Sequence, residues 1–305
     1  MNMQVNLTAA AQTVSLDIQD DAIPGYAKNS RMYTSLSSFD YHNDRDVLSC
    51  STLKPLLVSP AHFQANLLTP SCGSKAKDFG SLVHALVLEP RTVGKDFAVY
   101  PGQADGRAPE YKSFVAANPS RLVVDEPTFA SGRRLAEKTL ERRVMGRPFG
   151  DFIAEGSPEV SIYFEDPVTG VMLKIRPDLM HPEFTFDLKT TRHSTAHDFV
   201  RDGLSMGYDL QAFMYSMGRS LYDGTDTPKP FIFIAAESDQ PHSVQVVTAG
   251  SSFLNNGWKK YQECLTVYKA CMTAGLFPDA GGDITAEITP WETFSPNEDW
   301  RARLN

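Results

Sequence analysis

Two short blocks, Ile175-Arg176-Pro177-Asp178 and Phe186-Asp187-Leu188-Lys189-Thr190-Thr191, constrain this chain more than any other stretch. Each closes a run in which apolar and polar residues alternate, the pattern of a half-buried strand. Side chains two apart on a strand share a face, so Asp187 and Lys189 point together while Leu188 points back into the core. Pairing the two strands brings Asp178 beside them. Two carboxylates and an ammonium then converge, and carboxylates that close repel each other unless a cation lies between them. Two Asp oxygens with backbone carbonyls make a hard-oxygen site suited to Mg²⁺, which retains waters and takes phosphate oxygens as further ligands. A lysine beside such an ion orients or helps deprotonate an attacking water, the chemistry of metal-assisted phosphodiester hydrolysis.

The whole chain is compatible with that reading. Its 305 residues, 42% of them hydrophobic, suffice for one large domain or two small ones with a real core. No apolar run approaches a membrane span, and residues 1–20 lack the basic start and apolar centre of a signal peptide. A cytoplasmic protein without a membrane partner is expected. Cys50, Cys72, Cys264 and Cys271 have no CxxC spacing, which argues against a zinc ribbon or a clustered iron–sulfur centre. They read as reduced thiols. The net charge of −8 runs against a nucleic-acid partner, since phosphate contacts need Lys and Arg, although a local basic groove can coexist with it.

Residues 1–38 are polar and aperiodic and are expected to form a flexible N-terminal segment. Residues 41–54 and 56–63 read as two short helices, with Ser49 or Ser51 as an N-cap and Ser59-Pro60 opening the second. The same serines suit phosphate contacts. Residues 78–88 form a buried helix that stops before Pro90 and carries His84 in its middle. Residues 95–121 show little pattern beyond a turn at Pro101-Gly102 and read as an insertion near the site. On a helix over 129–144, Arg134, Lys138 and Arg142 make one basic stripe, either a solvated face or a contact for a DNA backbone. Strands follow at 160–164, 171–176 and 184–189, the first two joined by a turn at 165–170. Glu159 opens the first and is a candidate additional acid. A helix over 198–205 precedes one over 207–218, with Gly218 as its stop, on which Tyr208, Gln211 and Tyr215 share a face. Strands at 231–236 and 243–248 and an amphipathic helix at 251–274 complete the chain. Residues 276–305, with Trp291 and Trp300, read as an irregular tail packed on the domain.

The order helix, three strands, helix, strand resembles the PD-(D/E)XK nuclease superfamily, an α/β fold. The resemblance implies a restriction-endonuclease-like αβββαβ core, with a mixed central sheet flanked by helices, over a domain spanning residues 39–275. The fuller likeness is to RecE-like exonucleases of the exonuclease VIII type, related to RecB-type nuclease domains. It rests on Leu48-Ser49-x-Ser51 with Ser59-Pro60-Ala61-His62, Phe79-Gly80-x-x-x-His84, Arg176-Pro177-Asp178, Asp187-Leu188-Lys189-Thr190-Thr191 and Gly207-Tyr208-x-x-Gln211-x-x-x-Tyr215. The resemblance covers residues 41–269. It implies a Mg²⁺-dependent exodeoxyribonuclease, with Mn²⁺ as a substitute, that degrades linear double-stranded DNA 5′ to 3′. The 3′ tails left behind would serve a RecT-like single-strand annealing protein in recombination of the phage or prophage type. It further implies a homo-oligomeric ring at DNA ends, in the cytoplasm of a bacterial host.

Carried over position by position, Asp178 and Asp187 bind the metal with the Leu188 backbone carbonyl, and His84 lies beside it. Lys189 activates or positions the water. Gln211 and Tyr208 help place water or substrate, with Tyr215 in support. Ser49 and Ser51 and the stripe of Arg134, Lys138 and Arg142 are the candidate DNA contacts. The same core also serves other RecB-like nucleases, whether endonucleases or single-strand exonucleases, and a non-catalytic DNA-binding protein can share the fold. The intact Asp178, Asp187 and Lys189 set favours an enzyme.

Overall fold

Every residue of the strand Phe231–Glu237 is buried, as befits a central strand covered on both faces. In the computed structural model, which describes residues 22–69 and 74–282, its side chains divide by alternation. Phe231, Phe233 and Ala235 enter one core cluster, and Ile232, Ile234 and Ala236 enter another on the opposite face. This central strand is β5 (Phe231–Glu237), and around it stand β1 (Ser161–Glu165), β2 (Met172–Ile175), β3 (Leu179–Met180), β4 (Thr185–Thr191) and β6 (Val244–Thr248), with β1 and β2 in one five-stranded mixed sheet and β3 to β6 in another. Five longer helices flank them: α1 (Lys75–Leu88), α2 (Glu126–Glu141), α3 (Ala196–Ser205), α4 (Tyr208–Asp223) and α5 (Ser251–Ala274). Among the described residues no helix is long and apolar enough to cross a membrane.

β4 runs parallel to β5 from Thr185↔Phe231 to Thr191↔Glu237, and β6 lies antiparallel on the far side of β5. β2 and β3 are one segment interrupted at Arg176-Pro177-Asp178. β2 pairs antiparallel with β1, whereas β3 pairs with β4 and with Ser157–Pro158. A single bent strand therefore passes from one five-stranded sheet to the other. Pro177 sits at the bend, where its missing N–H ends the ladder.

One face of β4 and β5 is covered by α4 and α5, through Leu210, Met214, Tyr261 and Leu265. The other is covered by α1 and α2, through Val83, Val87, Leu135 and Ala136. Gly132 lets α2 approach α1 closely, since a Cβ there would lie 2.9 Å from Leu82 Cδ2.

Packing revises four expectations. Residues 22–38 were grouped with a flexible segment, yet Ala22–Pro24 and Arg31–Tyr33 pair with each other and the latter joins β1. Backbone hydrogen bonds from Tyr26 N to Tyr222 O and Ala27 N to Leu221 O hold the intervening turn. This hairpin is stabilised by its ladder, so it leaves no apolar periodicity in the sequence. Residues 1–21 lie outside the described residues. Within 95–121, Phe97–Tyr100 forms a strand parallel to Leu122–Asp125, and Pro109–Ala116 is helical. Strands of four residues are too short to announce themselves by alternation. Within 41–54, Leu48–Ser49 is a strand residue pair on β2 rather than helix. Finally, α4 runs through Gly218 to Asp223 and ends at Gly224, which has a left-handed φ of +69°. Gly218 instead makes room for Phe164, whose Cε1 would lie 2.4 Å from a Cβ there. Residues 276–282 form no helix or strand and pack near Phe63, with Ala61 N donating to Pro278 O. Trp291 and Trp300 lie outside the described residues.

Candidate active site

Asp178 stands where β3 parts from β4. The register Leu179↔Phe186 puts Asp178 opposite Asp187 and leaves Pro177, with no N–H, opposite Leu188. The Asp178 carboxylate replaces the lost strand partner, its Oδ2 accepting the Leu188 N–H at 2.6 Å. The N–H and C=O of one strand residue project toward the same edge, so the Leu188 carbonyl faces the same gap. Alternation sends Phe186 and Leu188 into the core under α1 and α2 and turns Asp187 and Lys189 toward α4. There Gln211 Nε2 donates to Asp187 Oδ1 at 2.7 Å, and Lys189 Nζ meets Asp187 Oδ2 at 2.5 Å. Lys189 Nζ also lies 5.2 Å from the centroid of the Tyr208 ring, within cation–π range.

α1 supplies His84 to the same gap, with Nδ1 3.6 Å from Asp178 Oδ2. One turn earlier, Gly80 keeps α1 close to β4, since a Cβ there would lie 3.0 Å from Thr190 Oγ1. Glu159 completes a triad: His84, Glu159 and Asp178 offer ligand atoms that all lie within 4.8 Å of one another. Its backbone is left-handed, with φ +54°, and its N–H donates to Asp178 O at 3.2 Å. Such a conformation costs a non-glycine residue about 1 kcal/mol or more. Arg176 Nε holds the Glu159 carboxylate at 2.7 Å while its Nη1 bonds Ser161 Oγ and Leu36 O.

The electrostatics of the group are unfinished. Burial, followed by the charge of Asp187, holds the Asp178 carboxyl well above the usual carboxylate range, and Lys189 counters this only in part. Burial by itself would lower the Lys189 ammonium, but Asp187 and Asp178 outweigh it and hold it above the ordinary lysine value. Burial lowers the His84 imidazole, and Lys189 adds to the effect, so its approach to Asp178 is that of a neutral ring. A divalent cation placed among these carboxylates would relieve their repulsion. Acid oxygens with a backbone carbonyl suit Mg²⁺ or Mn²⁺, and an imidazole nitrogen is compatible with the softer Mn²⁺. His84, Glu159 and Asp178 fit the expected ion, whereas Asp187, with Oδ1 on Gln211 and Oδ2 on Lys189, stands outside that group of three.

The remaining sequence candidates divide. Tyr215 is on the same face of α4 but buried, its ring packed edge-on to Phe231 at 6.0 Å. No hydrogen bond joins it to Asp187 or Lys189 among the described residues. Ser49 is buried and caps the helix Cys50–Leu53 in a reciprocal capping box with Thr52. Ser51 is exposed, its Oγ 2.9 Å from that of Ser49. A cleft of about 1070 Å³ opens past the end of β4, lined among others by Asp78, Tyr111, Asp125, Thr190, Arg192 and Tyr208. None of Arg134, Lys138 and Arg142 lines it, and Lys138 Nζ donates instead to Pro241 O. The clamp of Arg176 on Glu159 escaped the sequence reading, and only the position of Arg176 directly before Pro177-Asp178 could have signalled it. The insertion expected near the site over 95–121 does reach the cleft, through Ala104, Gly106 and Tyr111.

The family model of a PDDEXK-like domain of unknown function (DUF3799) matches residues 49–289. No curated protein matches the chain. Among solved structures, a Eubacterium rectale protein described as a candidate exonuclease is 17% identical and has a TM-score of 0.56. That match covers 84% of this chain and 96% of the other, a likeness of fold. The crystal structure of SSO0001 is 12% identical over 70% of this chain and 84% of its own, with a TM-score of 0.27 that is too low to bear on the fold.

Proposed function

The chain belongs to the PDDEXK-like family DUF3799, and on that footing we propose that it is a Mg²⁺-dependent exodeoxyribonuclease acting on linear double-stranded DNA. The observation that carries the reading is the meeting of Asp178, Asp187 and Lys189 in a gap of the sheet beside an open cleft. Asp178, Asp187 and the Leu188 carbonyl, with His84 and Glu159 at hand, would hold Mg²⁺, or Mn²⁺ as its substitute. When bound, the ion supplies Lewis acidity and a water of lowered pKa.

The chain's own groups do the rest. Lys189, kept as an ammonium by its carboxylate neighbours, orients the water and offers positive charge where the phosphorane-like transition state gathers negative charge. Gln211 fixes the rotamer of Asp187, and the Tyr208 ring supports the Lys189 ammonium from the side. Arg176 and the left-handed backbone of Glu159 hold that carboxylate at the gap. Burial of the whole group strengthens each of these interactions relative to water.

The 5′-to-3′ direction, the 3′ tails for a RecT-like annealing protein, the ring at DNA ends and a recombination role in a bacterial host belong to the same proposal. Their support is the set of motifs shared with RecE-like exonucleases. The test is digestion of linear duplex DNA, labelled at the 5′ end in one substrate and the 3′ end in another, with Mg²⁺ present. Early release of 5′ label as mononucleotides, absent in Asp187→Ala and Lys189→Ala, is expected. Cutting of closed circular DNA would move the assignment to an endonuclease of the same superfamily. Inert wild type that still binds DNA would move it to a binding protein.

A further inference from the structure

We propose that Lys54, with Ser51 beside it, forms a phosphate subsite that holds the DNA strand next to the reacting group. The inference rests on the nuclease reading above and extends it to a residue that the motif comparison left without a role. Lys54 Nζ lies 5.6 Å from the centroid of the Tyr208 ring, and Lys189 Nζ lies 5.2 Å from the same centroid. The two ammoniums are therefore at most about 11 Å apart. That upper bound reaches a neighbouring phosphate of the same strand.

What distinguishes Lys54 from Lys189 is the absence of a counter-ion. Lys189 is neutralised by Asp187, whereas no carboxylate among the described residues pairs with Lys54. Its stem is nevertheless held in place. Gly207, with a left-handed φ of +68°, presents bare backbone to it, and a Cβ at that position would lie 3.2 Å from Lys54 Cε and 3.4 Å from Cδ. The Gly207-Tyr208 pair thus provides a flat seat for the methylene chain and an aromatic face for the ammonium. Both cations also lie within electrostatic reach of buried Cys50, whose thiol is raised by burial and lowered by Lys54 and then Lys189. Ser51 is exposed three residues before Lys54, and its hydroxyl, 2.9 Å from that of Ser49, has capacity for a further hydrogen bond to the same phosphate. The cleft itself is poor in alternatives: its lining includes Asp78, Asp125, Asp202 and Asp239 against Arg192. A fixed ammonium without a counter-ion beside an acid-rich cleft is a group placed for an anion.

The ligand is a DNA phosphate, either the terminal one at a 5′ end or an internal phosphodiester. Duplexes with 5′-phosphoryl and 5′-hydroxyl ends separate these sources. Binding is read by fluorescence anisotropy in EDTA over a range of salt concentrations, and cleavage by initial rates with Mg²⁺. Lys54→Met keeps the stem on Gly207 and removes the charge. It is expected to weaken duplex binding about tenfold and to reduce the slope of log affinity against log salt by about 0.9, the signature of one lost phosphate contact. KM should rise in parallel while kcat changes by less than about threefold, and Lys54→Arg should restore both affinity and slope. If the terminal phosphate is the ligand, the preference of wild type for 5′-phosphoryl ends disappears in Lys54→Met. If an internal one is, both substrates weaken alike. Unchanged affinity, KM and salt slope in Lys54→Met would overturn the subsite, as would a fall in kcat and thermal stability alone. Wild type that binds duplex without cutting it rejects the nuclease reading but leaves the Lys54 binding comparison intact.

Discussion

Two buried charge clusters lie along the same face of one strand, and they are built on opposite principles. At the start of β4, Arg219 from α4 is 2% exposed and donates to the carbonyls of Phe184, His181 and Pro182, to Thr185 Oγ1 and to Asp223. Asp223 in turn takes Lys229 at 2.7 Å. Each polar atom is answered, and the result ties α4 to the turn that precedes β4. Farther along β4, the cluster of Asp178, Asp187 and Glu159 has Lys189 and Arg176 as its cations, and the Asp178 carboxyl is still held well above its usual range by burial and by Asp187. Burial of charge is therefore not what marks the functional site in this molecule. Carboxylates packed against one another mark it, because a cluster that serves only the fold, such as Arg219 between Asp223 and backbone carbonyls, gains nothing from like-charge repulsion left in place.

Four perturbations separate the two clusters. Asp187→Ala removes a proposed metal ligand and the partner of Lys189, and kcat with Mg²⁺ is expected to fall about 10³-fold or more in the duplex assay. Arg219→Met should do the reverse, lowering stability by about 3–5 kcal/mol in urea unfolding while activity per folded molecule is kept. Mg²⁺ at about 100 times its Kd should stabilise wild type by about 2.7 kcal/mol, reversed by EDTA and absent in Asp178→Asn.

The smallest effect sharpens the contrast most. Without metal, Asp178→Asn keeps an acceptor for the Leu188 N–H and removes one repelling charge, so it should stabilise the protein by about 1 kcal/mol near neutral pH. The sign follows from linkage. Asp178 has a folded pKa raised above its unfolded value of about 3.9, so the folded state holds the proton longer. Wild-type stability therefore falls, relative to Asp178→Asn, as pH rises from the unfolded value through the folded one. Chemical denaturation of both proteins across that window checks it. A destabilised Asp178→Asn at neutral pH would mean that the carboxylate is as well satisfied as Arg219.

Much of this site was legible because its residues obey local periodicities. Asp187 and Lys189 share a strand face, and Gln211 with Tyr208 shares a helix face, so spacing alone brings them together. Pro177 announced the end of the ladder but not its consequence, the substitution of the Asp178 side chain for a strand partner. Glu159 was visible as a strand-end acid, whereas its left-handed backbone and its clamp by Arg176 depend on two strands meeting at a bend. Spacing also misleads. Tyr215 has the right face of α4 but lies a turn too deep, against Phe231. Ser49 has the chemistry of a phosphate contact and is consumed as a helix cap. Arg134 and Lys138 share a face of their helix, but the helix stops at Glu141 and leaves Arg142 beyond it, and which way a helix turns its polar face relative to a cleft is fixed by tertiary packing. The hairpin at 22–33 and the strands at 97–100 and 122–125 were hidden for a related reason: short strands are held by backbone pairing, which writes no pattern into side chains.

The most direct test of the central claim is a calorimetric titration of wild type and Asp178→Asn with Mn²⁺, with Mg²⁺ as the companion ion. The account predicts saturable binding to wild type that is lost in Asp178→Asn while the variant remains folded. Equal binding by both proteins, or none by wild type, would contradict the claim that the unneutralised carboxylates at the gap are there to hold a metal ion.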